Sequence, residues 1–133
     1  MTFDAIGIAS TGMTVHRKWL DAISDNIANV NTVTSADEDA FAAKYVMAQA
    51  MGTGTENKGV QVSGIVEGNA EGRIVYEPDH PLANADGYVK YPDIDMSSQM
   101  TQLIMAQRGY QANAAVIERA RASYEQAITI GQN

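Results

Sequence analysis

Apolar residues recur at alternating steps of three and four at both ends of the chain, and the middle lacks that spacing. The front row is Ile6, Ala9, Met13, His16, Leu20, Ile23, Ile27 and Val30, interrupted only by His16. The back row is Met96, Met100, Leu103, Gln107, Tyr110, Ala114, Ile117, Arg121, Tyr124 and Ile128, interrupted by Gln107 and Arg121. A 3.5-residue period keeps one narrow seam of a helix against a partner helix over its whole length. The expected fold is therefore mainly α, with the terminal helices paired as an antiparallel coiled coil around a small β module. The expected divisions are an N-terminal helix over 1–31, a strand-and-loop segment over 32–94 and a C-terminal helix over 95–133.

The first helix is expected from about Phe3 to Val30, and Gly7 and Gly12 inside it each cost about 1 kcal/mol against Ala. It should be weak alone. Asn26, Asn29 and Asn31 crowd its end, where amide side chains compete with the helical backbone and favour termination. Asn26, Asn29 and Asn113 in a helix seam also pair only at one offset, which fixes register at the expense of stability. Capping is the alternative role for them. At the other end, Asp95 or Ser97 can cap the last helix, and Gly131 is a natural stop.

From Thr32 to Gly59 the pattern is poor. Ser35 to Asp39 is a short acidic run, Phe41 to Gln49 is compatible with strand or helix, and Met51 to Asn57 reads as a mobile loop. Val60-Gln61-Val62 alternates as a strand, Gly64 suggests a bulge, and Ile65-Val66 resumes the strand before a turn at Gly68 to Gly72. Arg73 to Tyr76 and Tyr88 to Tyr91 are further extended pieces, separated by Pro78, Pro81 and the Asp86-Gly87 turn and closed by Pro92.

With 133 residues the chain has room for one modest domain, and 45% hydrophobic with 19% charged residues argues against wholesale disorder. A net charge of −7 opposes nucleic acid and anionic lipid, so no nucleic-acid partner is expected. There is no cysteine, hence no disulfide or thiolate metal site. No basic region precedes an apolar stretch at the N-terminus, and no apolar run approaches the ~18–20 residues that cross a bilayer. Neither a cleaved signal peptide nor a direct membrane span is expected.

His80 lies near Glu77 and Asp79, but Pro78 and Pro81 favour a constrained interface loop over a metal site. The acidic run Asp37 to Asp39 lacks the Gly and terminal Glu of an EF-hand. Met96, Met100 and Met105 suit adaptable packing, and Arg108, Arg119 and Arg121 suit pairing with acids or solvent. No catalytic, metal or cofactor-binding residue is expected, because no second base, nucleophile or phosphate loop converges on either histidine.

Ser10-Thr11-Gly12-Met13, followed by Leu20, Ile23 and Asn26-Ile27-Ala28-Asn29-Val30-Asn31-Thr32, resembles the N-terminal motif shared by bacterial flagellar rod and hook proteins. Tyr110-Gln111-Ala112-Asn113 is similar to the matching C-terminal motif. Val75-Tyr76-Glu77-Pro78-Asp79-His80-Pro81 and Asp86-Gly87-Tyr88-Val89-Lys90-Tyr91-Pro92 resemble the signature of the proximal rod branch, and the likeness spans nearly the whole chain. It implies a structural, non-enzymatic subunit of the basal-body rod, extracytoplasmic, carried out by the flagellar type III export apparatus without signal-peptide cleavage. It also implies that the terminal helices form the inner layer of a tube around the export channel. Expected partners are other copies of the chain, other proximal and distal rod proteins, and the membrane-ring adapter protein. One stretch departs from the pattern: Val33 to Ala43 holds three acids and no Lys or Arg where the family has a Gly-rich turn with basic residues.

Outside that reading stand an enzyme using His80 and a soluble coiled-coil adaptor; within it, another axial subunit of the rod or hook type. Off the seam, Ile8, Val15, Ile104 and Val116 are placed to meet helices of adjacent copies. Ordering of the ends is therefore expected to be coupled to assembly.

Overall fold

The computed structural model describes residues 2–52 and 58–132, so the expected loop at Met51 to Asn57 lies largely outside the described residues. Two long helices bracket five strands: α1 (Thr2–Asn29), β1 (Thr34–Ser35), β2 (Lys44–Ala50), β3 (Val60–Glu67), β4 (Arg73–Tyr76), β5 (Tyr88–Tyr91) and α2 (Met96–Gly131).

Both helix ends follow from local chemistry. At the end of α1, Asn29 turns its amide back to the Asp25 carbonyl at 2.9 Å, and Thr32 N–H donates to the Asn29 carbonyl at 3.0 Å. These bonds occupy acceptors that a longer helix would have used. At the start of α2, the Asp95 carboxylate accepts from the backbone N–H groups of Ser97 and Ser98, at 3.3 and 3.0 Å. Asp95, and not Ser97, is the N-cap.

The chain divides into two compact units. One comprises residues 1–20, 46–64 and 104–133: the first part of α1, the last part of α2, most of β2 and the first part of β3. Its buried side chains are small, Ala9 and Ala106, with Gly12 and Gly59 also buried. The β2–β3 hairpin meets α1 at Thr11, whose hydroxyl donates to the Ile8 carbonyl at 2.6 Å and accepts from Val60 N–H at 3.1 Å. Gly59, at φ 103, passes so close to Thr11 that a β-carbon there would overlap the hydroxyl. Gly64, where a bulge was anticipated, falls inside β3 with open space beside it.

The other unit comprises residues 21–45 and 65–103. An antiparallel sheet of order β1-β5-β4 pairs Thr34 with Lys90 and Ser35 with Val89 on one side, and Val75 with Val89 and Tyr76 with Tyr88 on the other. Its core holds Ala22, Ile23, Ala40, Ala43, Val89, Pro92 and Ile94. The stretch Phe41 to Gln49, open between strand and helix in the sequence, becomes strand from Lys44 onward. The Ala43 carbonyl accepts from Gly68 N–H at 2.7 Å, which anchors the hairpin base.

Candidate functional site

The terminal helices meet through a reciprocal contact in the first unit. A β-carbon on Gly12 of α1 would stand 2.8 Å from Asn113 Oδ1, and one on Gly109 of α2 would overlap the His16 ring. His16 lies four residues beyond Gly12 and Asn113 four beyond Gly109, so each glycine receives a polar side chain from the other helix. The two contacts also fix the local direction. Four residues forward on α1 correspond to four residues back on α2, which is antiparallel.

Both polar side chains are tied to their own helix. His16 Nδ1 is 2.8 Å from the Gly12 carbonyl, so Nδ1 carries the proton, and Asn113 Nδ2 donates to the Gly109 carbonyl at 2.8 Å. Each bond runs back one turn. The ring and the amide are therefore presented in one orientation, each to a surface that only glycine leaves open.

In the second unit a buried amide takes the place of shape. Asn26, 1% exposed, accepts from Lys44 N–H at 2.7 Å through Oδ1 and donates through Nδ2 to the Lys44 carbonyl at 3.0 Å and to Gln99 Oε1 at 3.1 Å. Gln99 is 3% exposed. One amide thus serves both main-chain groups of Lys44, as a neighbouring strand would, and also engages α2. Lys44 Nζ lies 2.6 Å from Asp25 Oδ2, and that hydrogen bond, reinforced by the charge, holds the ammonium above the usual lysine range.

The loop of residues 77–88 is held by its own backbone. Glu77 N–H donates to the Gly87 carbonyl, His80 N–H to Glu77, Ala83 N–H to His80, and Gly87 N–H to Asn84, all within 2.9–3.0 Å. Asn84 Oδ1 accepts from Asp86 and Tyr88 N–H, and His80 Nδ1 accepts from Leu82 N–H at 3.1 Å. His80 thus closes a turn. Gly87, at φ 82, is packed under Tyr76 and Pro78. Tyr91 Oη donates to Glu77 Oε1 at 3.1 Å, a bond that raises the phenol above the usual tyrosine range, with burial adding to it. Pro92 is buried; Pro78 and Pro81 are exposed, and Tyr76 meets Tyr88 edge-on at 5.1 Å on the outer face.

Of the seam positions read from the sequence, Ile23 is buried and Ile6, Met13, Leu20, Ile27 and Val30 are half-buried. On α2, Leu103, Tyr110 and Ile117 are half-buried, whereas Met96, Met100, Tyr124 and Ile128 are exposed in the single chain. The most protected residues of α2 are Gln99 and Ala106, one position back from the apolar row. Of the axial-motif residues, Gly12 and Asn26 are buried, Asn29 and Asn113 half-buried, and Ser10, Asn31 and Gln111 exposed. The rows of apolar residues did not point to Gln99, Ala106 or Gly109. The available signal was a small residue placed one turn before Asn113.

Among the described residues no group of three His, Asp or Glu side chains is arranged to hold a metal ion. No described helix is long and apolar enough to cross a membrane.

Two family models match the chain. Residues 6–34 match one described as flagella basal body rod protein, and residues 85–130 match one described as flagellar basal body rod FlgEFG protein C-terminal. Among curated relatives, the flagellar basal-body rod proteins FlgC of Salmonella typhimurium and Yersinia enterocolitica are each 36% identical over 126 residues, 94% of both chains. The FlgC of Bacillus subtilis is 27% identical over 147 aligned positions, 98% of both chains.

Proposed function

Since this chain belongs to the FlgC family of flagellar basal-body rod proteins, and is a structural rod subunit, we propose that its terminal helices pair as an antiparallel coiled coil completed only by neighbouring subunits. The subunits pack as a tube around the export channel, in heterologous contacts that repeat without closing. The terminal helices are the inner layer, the central strands and loop the outer one, and the chain carries no catalytic activity. Neighbours are other copies, other proximal and distal rod proteins and the membrane-ring adapter protein, and delivery is by the flagellar type III export apparatus.

One observation carries this reading. Among the described residues of the first unit the side chains buried in the single chain are alanines, while Ile104 and Met105 of α2 are 50% and 56% exposed, and Ile8 and Val116 are exposed as well. Small residues let the two helices approach, and the large apolar groups are left on the outside, where further helices would bury them. Burial of that kind is available only in the assembly, so ordering of the ends and polymerisation are one equilibrium.

The test is complementation of a strain whose own FlgC gene is deleted, with electron microscopy of isolated basal bodies. The full chain should restore rods beyond the membrane ring, and truncations lacking residues 1–20 or 104–133 should not. Intact rods in the deletion strain, or normal rods from either truncation, would overturn the proposal. On the dilute chain, hydrogen exchange should show weak protection in residues 4–20 and 104–131. Strong protection there without oligomers contradicts the coupling.

A further inference from the structure

An open groove of about 210 Å3 in the first unit is lined by Ser10, Met13, Thr14 and Arg17 of α1 and by Tyr110 of α2. Thr14 spends its hydroxyl proton on the Ser10 carbonyl at 3.2 Å. Among the described residues, the Arg17 guanidinium, the Ser10 hydroxyl and the Tyr110 hydroxyl have no hydrogen-bond or ion-pair partner. A planar fork of N–H donors flanked by two O–H donors suits a carboxylate. Arg108 and Arg119 likewise have no ion-pair partner among the described residues, and what distinguishes Arg17 is the groove and the two hydroxyls beside it.

The second unit presents the complementary group. Asp37, Glu38 and Asp39 are exposed, and their carboxylates have no partner among the described residues. Their backbone is nevertheless held: Glu38 N–H donates to the Ser35 carbonyl at 3.0 Å, Ala40 N–H to the Ala70 carbonyl at 2.8 Å, and Lys90 Nζ to the Glu38 carbonyl at 2.6 Å. Lys90 is the cation closest to the run in these contacts, and it is spent on a carbonyl. Three like charges are thus kept side by side on a fixed loop, which disfavours the isolated chain and favours a positive neighbour.

We propose that the Arg17 groove of one copy receives the Asp37–Asp39 loop of a second copy. The inference rests on the rod reading, because a donor groove in one unit and an acidic loop in the other make a heterologous contact that repeats along an assembly. It also answers a problem that the net charge of −7 poses for stacking identical subunits, since like-charged copies approach stably only where local signs are opposite. Lys18, adjacent to Arg17 and exposed, adds to the positive potential.

The absence of native cysteine permits a direct test in the full chain. Copies carrying Arg17→Cys and copies carrying Glu38→Cys are co-expressed in the FlgC deletion strain, and isolated basal bodies are oxidised. A covalent dimer from the mixture, and none from either variant alone, is the expected result. In parallel, Arg17→Glu should reduce swimming severalfold, and reversing Asp37, Glu38 and Asp39 to Lys in the same chain should restore it. Absence of the mixed dimer, a disulfide forming within one chain when both cysteines are combined, cross-linking of Arg17→Cys to a different rod protein, or full swimming of Arg17→Glu would each overturn the inference. If the unmutated chain fails to build rods in that strain, the rod reading itself has failed, which separates the two.

Discussion

The two units are stabilised in different ways. The unit of residues 21–45 and 65–103 has a core of Ile23, Val89, Pro92 and Ile94 around a satisfied amide, and a three-stranded sheet closes over it. The unit of residues 1–20, 46–64 and 104–133 buries alanine and glycine, and its specificity lies in two side chains set into two glycine notches. Burial of apolar area is roughly proportional to stabilisation, so the unit of residues 21–45 and 65–103 draws more on contacts within the single chain than the other does. In the proposed assembly that asymmetry gives each part its own role: one supplies a body with its own core, and the other exposes the apolar groups that neighbours would bury.

The sharpest way to break this contrast is to remove the amide. Asn26→Leu would leave Lys44 N–H, the Lys44 carbonyl and Gln99 Oε1 without their present partner. Each unsatisfied buried group costs about 1–3 kcal/mol, partly offset by the added apolar contact, so a net loss of about 3 kcal/mol is expected. Urea unfolding of the purified chain measures it. Asn26→Asp should also be destabilising, because a carboxylate keeps the acceptor for Lys44 N–H and loses both donor bonds. If either variant unfolds at the wild-type midpoint, the second unit does not depend on its polar centre.

The notches of the other unit give the next largest effect. Gly109→Ala gains about 1 kcal/mol of helix propensity but places a methyl into a ring whose Nδ1 is bonded to the Gly12 carbonyl, and overpacking of that kind costs about 1–3 kcal/mol. The expected outcome is a net loss of about 1 kcal/mol in the assembled state, read as reduced rod yield and swimming. His16→Ala combined with Gly109→Ala should recover most of it, since the two changes act on one contact. Additive losses in the double variant would show that the notch is not what aligns the helices.

That notch also marks where the sequence stops being legible. Helix positions, the extended pieces at Val60-Gln61-Val62, Ile65-Val66, Arg73 to Tyr76 and Tyr88 to Tyr91, and a cap at Asp95 or Ser97 follow from periodicity, β-branched content and capping chemistry, all of which are local. The contact surface of α2 does not, because apolar spacing ranks Met96 and Met100 above Gln99, Ala106 and Gly109, whereas close approach selects for small side chains. Similarly, nothing near Lys44 announces that its backbone pairs with an amide 18 residues away, so the choice between strand and helix at Phe41 to Gln49 rested on a nonlocal bond.

A smaller effect separates the helix of the second unit from its sheet. Asp95→Ala removes the acceptor for two N–H groups at the start of α2, and loss of such a cap costs about 1 kcal/mol. The thermal midpoint should fall, and hydrogen exchange should accelerate at Ser97 and Ser98 while the amides of β5 keep their protection. Asp95→Asn should recover part of the loss, because its one amide oxygen still accepts from one of the two N–H groups.

Alkaline titration gives the smallest and most even change, and its sign is fixed by two groups of the second unit. Lys44 is raised above 10.5 by its hydrogen bond to Asp25, and Tyr91 is raised above 10.0 by its hydrogen bond to Glu77. For both, folding favours the protonated form, so the stabilisation is complete below those values and disappears as pH climbs through the higher folded-state values. Both side chains are partly open to solvent, which screens these interactions, so the change should be slight. The thermal midpoint should be flat from pH 8 to about 10 on this account and then decline. Asp25→Asn, which removes the carboxylate charge beside Lys44, should lower the plateau slightly and make the decline shallower. A decline of unchanged steepness in a chain that also carries Tyr91→Phe would mean that the alkaline limit lies in neither contact, and that the second unit is held by its core and its buried amide alone.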